Sequence, residues 1–193
     1  MNETITNLLS RRSVGRLSEP GPTAEELQLI FKAAANAPDH GSLKPFSFVV
    51  LEDNTKKAFN EVLLQALYAR AKSKGRVPTE GQIQKESTKL DRAPLVVVAV
   101  ARVDQDSRIP EIEQILSAAA ATENVLVAAK SLGYDTMWRT GEATYDPFIK
   151  DQLGLDAKDH IIGWIYIGTA TIPDEEARDP EVTELVHYWR PEI

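Results

Sequence analysis

Apolar residues recur along this chain at two different periods, and the switches between them outline the fold. Leu27, Ile30, Phe31, Ala34 and Ala35 are spaced as one face of a helix. Thr23 precedes them as an N-cap, and Glu26, three residues on, completes a capping box. Pro38 ends that helix, because the residue before a proline is pushed out of helical geometry. FSFVVLE (46–52) then alternates and is rich in β-formers, which predicts a strand. APLVVVAVAR (93–102) and HIIGWIYIGTA (160–170) are near-continuous apolar runs, the mark of strands buried on both faces. YDTMW (134–138) predicts a shorter strand. Helices are predicted over 4–9, 56–74, 82–89, 110–132 and 147–153, those at 56–74 and 82–89 as exposed, charged helices. The 110–132 helix ends in NVLVAAKSL, which offers little polar surface and belongs in a core or between subunits. Gly133 follows as its C′ residue. No repeat or internal boundary appears. The pattern predicts a single α+β domain over 1–193, with four or five strands in a central sheet.

Composition narrows the partners. The chain of 193 residues is 42% hydrophobic and 26% charged, ordinary for a globular protein, and its net charge of -7 argues against a nucleic-acid partner. No apolar run reaches the roughly 18 residues of a membrane span, and MNETITNLLSRRS lacks the order of a signal peptide. The absence of cysteine removes thiolate chemistry and disulfides. A cytoplasmic protein is expected. The three histidines are far apart in sequence, so no metal site is expected. GxGxxG, P-loop, GxSxG and HExxH signatures are all missing.

Three polar clusters interrupt the regular segments. Arg11-Arg12-Ser13 with Arg16 reads as a solvated basic patch or, equally in kind, as a guanidinium fork for a phosphate. APDHGSLKPF (37–46) is a helix-to-strand turn in which Asp39 and Ser42 serve backbone amides. That reading leaves His40 and Lys44 without a purpose. Trp138-Arg139-Thr140-Gly141 ends a short strand; a tryptophan there suits a core, but the next arginine is hard to bury unpaired. Gly141 permits close backbone approach to a ligand.

Taken in order, RRSVGR, APDHGSLKPFSFVV, VLVAAKSLGYDTMWRTG and IIGWIYIGT resemble the nitroreductase family of FMN-dependent oxidoreductases. The likeness extends to about residue 170 and is nearest to the small members whose loop reads APDH. Ser42 and Lys44 depart from the Asn and Gln common at those places. The resemblance implies a mostly antiparallel sheet flanked by helices, with FMN as cofactor and NAD(P)H as co-substrate. It implies ping-pong transfer of reducing equivalents to nitro compounds, quinones or similar small acceptors. Sensor or storage binding of FMN, and reductive dehalogenation or dehydrogenation under a lid formed by 54–90, are the alternatives.

The same resemblance implies roles for particular residues. Arg11, with Arg139, balances the FMN phosphate; Arg12 and Ser13 meet the ribityl chain or pyrimidine edge. Asn36 and His40 line the pocket. The backbone of Trp138, Arg139, Thr140 and Gly141 lies against the isoalloxazine, with an amide near Thr140 or Gly141 facing N5. No catalytic side chain is expected, because the flavin carries the chemistry. The stretch 128–133 reads as a helix end rather than a nicotinamide site. A homodimer is implied, with FMN at the subunit interface and the tail, about 171–193, packing on the partner.

Overall fold

The computed structural model describes residues 2–172 and 180–190. The first segment is α1 (Glu3–Ser10), capped by the Asn2 side chain, which accepts from the Ile5 amide. A two-residue strand, β1 (Leu17–Ser18), follows and was not legible in the sequence. α2 (Ala24–Ala34) begins with the expected capping box: Glu26 N–H donates to Thr23 at 3.2 Å, and Thr23 N–H to Glu26 at 2.8 Å. The Thr23→Ala variant is expected to lose about 1 kcal/mol, measurable as a fall in the urea midpoint at unchanged slope.

β2 (Phe46–Glu52), β3 (Leu95–Ala101), β4 (Asp135–Arg139) and β5 (His160–Ala170) fall where the apolar runs place them. Every pairing between strands is antiparallel, in the order β1-β5-β3-β2, with β4 also on β5. All seven residues of β3 are buried, as its unbroken β-branched run requires. α5 (Glu111–Ser131) packs with α2 over one face of this sheet, burying Val125, Leu126 and Ala129 against Val97, Ile165 and Ile167.

The other face is covered by α3 (Asp53–Ser73) and α6 (Pro147–Gln152). The sequence reading of α3 as exposed needs correction. Phe59, Leu63, Ala66 and Leu67 are buried against Val96, Val98 and Trp164. Lys57 and Lys72 of this helix are exposed, and the charged residues between its members concealed a spaced apolar stripe. α4 (Glu80–Ser87) is the more superficial helix and buries no residue. Among the described residues no helix is long and apolar enough to cross a membrane.

Candidate functional site

α5 carries contacts to two of the three polar clusters. Ser117 donates to the Pro38 carbonyl at 3.0 Å, and Glu113 meets His40 Nδ1 at 2.5 Å. Ten residues further along α5, Glu123 lies 3.6 Å from Arg11, which puts the two contacts roughly 15 Å apart on the helix. Asn124 donates to the Ala33 carbonyl at 3.0 Å, tying α5 to the end of α2.

The 37–46 loop is sharply shaped. Asp39 accepts the Lys44 amide at 2.6 Å, the serving of backbone expected of it. Gly41, Ser42 and Lys44 have φ of 71°, 54° and 51°. Positive φ is uncommon for Ser and Lys, and a packed scaffold must hold it in place. His40 opens the short 3-10 turn His40–Ser42 with its ring largely exposed at the rim. Asn36 is placed differently from His40: its amide donates to the Lys32 carbonyl at 2.7 Å and lines a groove between α2 and α5.

Residues 11–14 run beside β4. Ser13 forms a parallel bridge with Thr136, and Val14 N–H donates to Thr136 at 2.9 Å. The first cluster is therefore joined through backbone to β4, the strand that leads into the third. Within the first, Arg12 Nε is buried with no acceptor in the structure. Within the third, the Trp138 indole donates to the Ile162 carbonyl at 3.2 Å. Ile162 is the extra residue where β5 slips against β3, between the pairs Ala99↔Gly163 and Val100↔Ile161. Such a bulge frees a carbonyl from the ladder. Gly163 makes room for the ring, since a Cβ there would stand 2.1 Å from Trp138 Nε1. Thr140 and Gly141 are exposed beyond the last ladder pair, Arg139↔Trp164. Gly141, at φ 128°, takes a backbone conformation that side-chain-bearing residues avoid.

The arginines have distinct neighbours. Arg139 approaches Gly15, where a Cβ would be 3.9 Å from its Nη2, while Arg11 faces Glu123 on α5. Arg102, outside all motifs, is not idle: it bonds buried Asp159 at 2.8 Å and Ser47 at 3.1 Å. Arg70 bonds Asp146 and lies 3.6 Å from Glu142, just after Gly141. Glu142 sits below the usual carboxylate range, chiefly through its bond to Lys74. Neither arginine carried a sequence signal, because each partner is far off along the chain.

Tyr166 is buried on the sheet face beneath this region. Burial pushes its phenol up to about 12, while Arg139 and Arg92 pull it back down. An unfolded tyrosine titrates near 10, so the neutral phenol's contribution to stability is intact below about pH 10 and is lost as pH rises toward about 12. Tyrosinate absorbance during alkaline titration is expected to show Tyr166 ionising last, together with unfolding.

The antiparallel sheet, with α2 and α5 on one face and α3 and α6 on the other, defines an α+β scaffold that known proteins share. The nitroreductase family model matches residues 8–169. This chain belongs to the nitroreductase family and is an oxidoreductase of the NAD(P)H nitroreductase type. The Escherichia coli (strain K12) protein YdjA, an NAD(P)H nitroreductase by name, is 34% identical over 97% of this chain and 100% of its own. A Haemophilus influenzae protein named in the same way is 33% identical over 96% of this chain and 99% of its own. Among solved structures, a nitroreductase-like protein from Bacillus cereus superimposes with a TM-score of 0.81 at 20% identity, covering 99% of this chain and 98% of that one. A Desulfovibrio desulfuricans nitroreductase in complex with FMN gives 0.72 at 21% identity, with 99% of both chains covered.

Proposed function

We propose that this chain binds FMN and reduces nitro compounds, quinones or similar small acceptors with NAD(P)H in the cytoplasm. The observation that carries the reading is the buried Arg12 Nε, a donor without an acceptor, in a segment bridged to β4. A buried donor left unmatched is costly, and a cofactor oxygen relieves that cost. The FMN-bound Desulfovibrio relative supports the choice of flavin.

Held by these residues, FMN would supply the hydride-accepting and electron-transferring chemistry between nicotinamide and acceptor. The chain's own part is to hold and orient. Arg12 and Ser13 supply donors to the polar chain and ring edge. The exposed Thr140–Gly141 backbone has amides that would donate to the cofactor ring, and such donors stabilise developing negative charge. Trp138 fixes this backbone from below through its bond to Ile162. His40 and Asn36 line the approach, His40 held by Glu113.

A second copy of the chain completes the site in this reading. His40 and Arg11 are attached at separate points on α5 of one chain. Ile112 and Leu116 of α5, Ile5, Leu8 and Leu9 of α1, and Leu29 of α2 are all exposed. So are Leu185, Tyr188 and Trp189 of the tail; residues 173–179 and 191–193 of that tail lie outside the described residues. Apolar surface of this kind is unusual on a monomer and suits a homodimer.

The protein should purify yellow with roughly one FMN per chain, and its absorbance should bleach on anaerobic addition of NADPH or NADH. Colourless protein that takes up no added FMN refutes the proposal. Light scattering tests the assembly, since a monomer that keeps its flavin excludes a shared site. Leu116→Arg, on an exposed position, is expected to yield folded monomer with FMN lost.

A further inference from the structure

We infer that Glu113 is a positioning residue that fixes His40 as its Nδ1–H tautomer. Nε2 is thereby kept as an acceptor for a ligand hydroxyl or imide N–H. Glu113 meets His40 Nδ1 at 2.5 Å. A carboxylate can only accept, so Nδ1 must carry the proton. Among the described residues Nε2 has no partner, and the side chain is 62% exposed. In the neutral ring that nitrogen keeps a free lone pair. Free histidine favours the opposite form, with the proton on Nε2, so the tautomer at His40 is one that its partner imposes.

The same helix turn holds a second histidine the other way round. Glu111 meets His160 at Nε2, 2.8 Å away. By the same reasoning His160 carries its proton on Nε2, the form free histidine favours. Two glutamates in the first turn of α5 therefore hold two histidines in opposite tautomers. Glu111 selects nothing that its ring would not adopt unaided; Glu113 does.

The loop that carries His40 is seated without help from Glu113. Ser117, one turn on from Glu113, donates to the Pro38 carbonyl at 3.0 Å. Asp39 accepts the Lys44 amide at 2.6 Å. Gly41 lies beside Ile109, whose Cδ1 would be 3.4 Å from a Cβ there. The Ile109 carbonyl accepts from Gln114 at 2.9 Å. Gln114, 1% exposed, also bonds both the amide and the carbonyl of Asp104. Removing the Glu113 carboxylate therefore frees the ring and leaves the backbone seated. A contact between side chains this exposed contributes little to stability. What it supplies is orientation.

This inference rests on the flavin reading for its ligand, since the ribityl hydroxyls and ring imide of FMN are donors of the required kind. The test compares Glu113→Ala with Glu111→Ala by two-bond nitrogen–proton NMR of the imidazoles. Spectra are taken at about pH 9, above the ordinary histidine range of roughly 6.5. The wild type is expected to show His40 protonated on Nδ1 and His160 on Nε2, with signals assigned by His40→Gln and His160→Gln. In Glu113→Ala the His40 proton moves to Nε2, while Glu111→Ala leaves both rings unchanged. A wild-type His40 protonated on Nε2, or one whose tautomer survives Glu113→Ala, overturns the inference.

Equilibrium dialysis supplies the second readout. Glu113→Ala should lower FMN affinity roughly three- to tenfold, the loss of one hydrogen bond, and Glu111→Ala should not. In a His40→Ala background Glu113→Ala should cost nothing more, because it acts only through that ring. A loss that persists there marks a merely structural role and overturns the inference, as does a changed tautomer with unchanged affinity. If the wild type takes no FMN, the flavin reading fails by itself. The spectra then still uphold or overturn the orientation of His40 by Glu113.

Discussion

Gly163→Ala is expected to lower stability by about 3 kcal/mol, or roughly 6–12 °C in thermal midpoint for a domain of this size. The added carbon would lie 2.1 Å from Trp138 Nε1, 2.5 Å from its Cδ1 and 3.1 Å from the Arg139 carbonyl. No rotamer of the alanine can avoid this, since the clash is made by Cβ itself. Trp138 must then swing off the sheet, giving up its bond to Ile162 and carrying the Thr140–Gly141 backbone with it. Tryptophan fluorescence should shift to the red, and flavin affinity should fall together with stability. Gly81→Ala is the matching control: it lies within α4, and a Cβ there meets nothing within 4 Å. That change should stabilise by about 0.5–1 kcal/mol. Equal midpoints for the two variants would show that Trp138 does not occupy this seat.

Arg70→Met should cost about 3 kcal/mol. The substitution keeps much of the aliphatic volume but leaves the Asp146 carboxylate, 8% exposed, without its cation. Asp146 also caps α6 by accepting from the Phe148 amide at 3.0 Å, so its displacement frays that helix as well. Asp146→Asn, which keeps the cap geometry while removing the charge, should soften the loss in the double variant. A thermodynamic cycle over the two single variants and the double measures the coupling. Coupling near zero would mean that the ion pair is not maintained in solution. In an Arg11→Ala comparison of FMN affinity Arg102 is unsuitable as control, because its bond to Asp159 makes its removal a folding defect. Arg108 serves instead.

Much of this architecture was legible because its causes are local. The Thr23/Glu26 capping box, the β-branched run of β3 and the bounds of β5 each follow from neighbouring residues. What escaped depends on distant contacts. β1 exists only because Leu17 and Ser18 meet Ala170 and Thr169. The stripe of Phe59, Leu63, Ala66 and Leu67 was masked by the charges between its members. Of the candidate site, the RRS segment and β4 are adjacent, through Ser13 and Thr136. His40 and Asn36 stay with α5 and α2. Gly163 appeared as one more small residue in an apolar strand, since nothing in HIIGWIYIG reveals an indole lying across it.

The pairing of β5 also sets the order in which this protein comes into being. β5 is the last strand among the described residues, and β1, β3 and β4 all pair with it. Ser18 and its hydrogen-bond partner Thr169 are separated by 151 residues. At about 5–20 residues per second on the ribosome, β1 waits roughly 8–30 s for its partner. Throughout that interval β3, the most apolar segment, can pair only with β2. The nascent chain therefore carries a two-stranded ladder whose β3 edge stays open until β5 emerges, and closure of the sheet waits for β5.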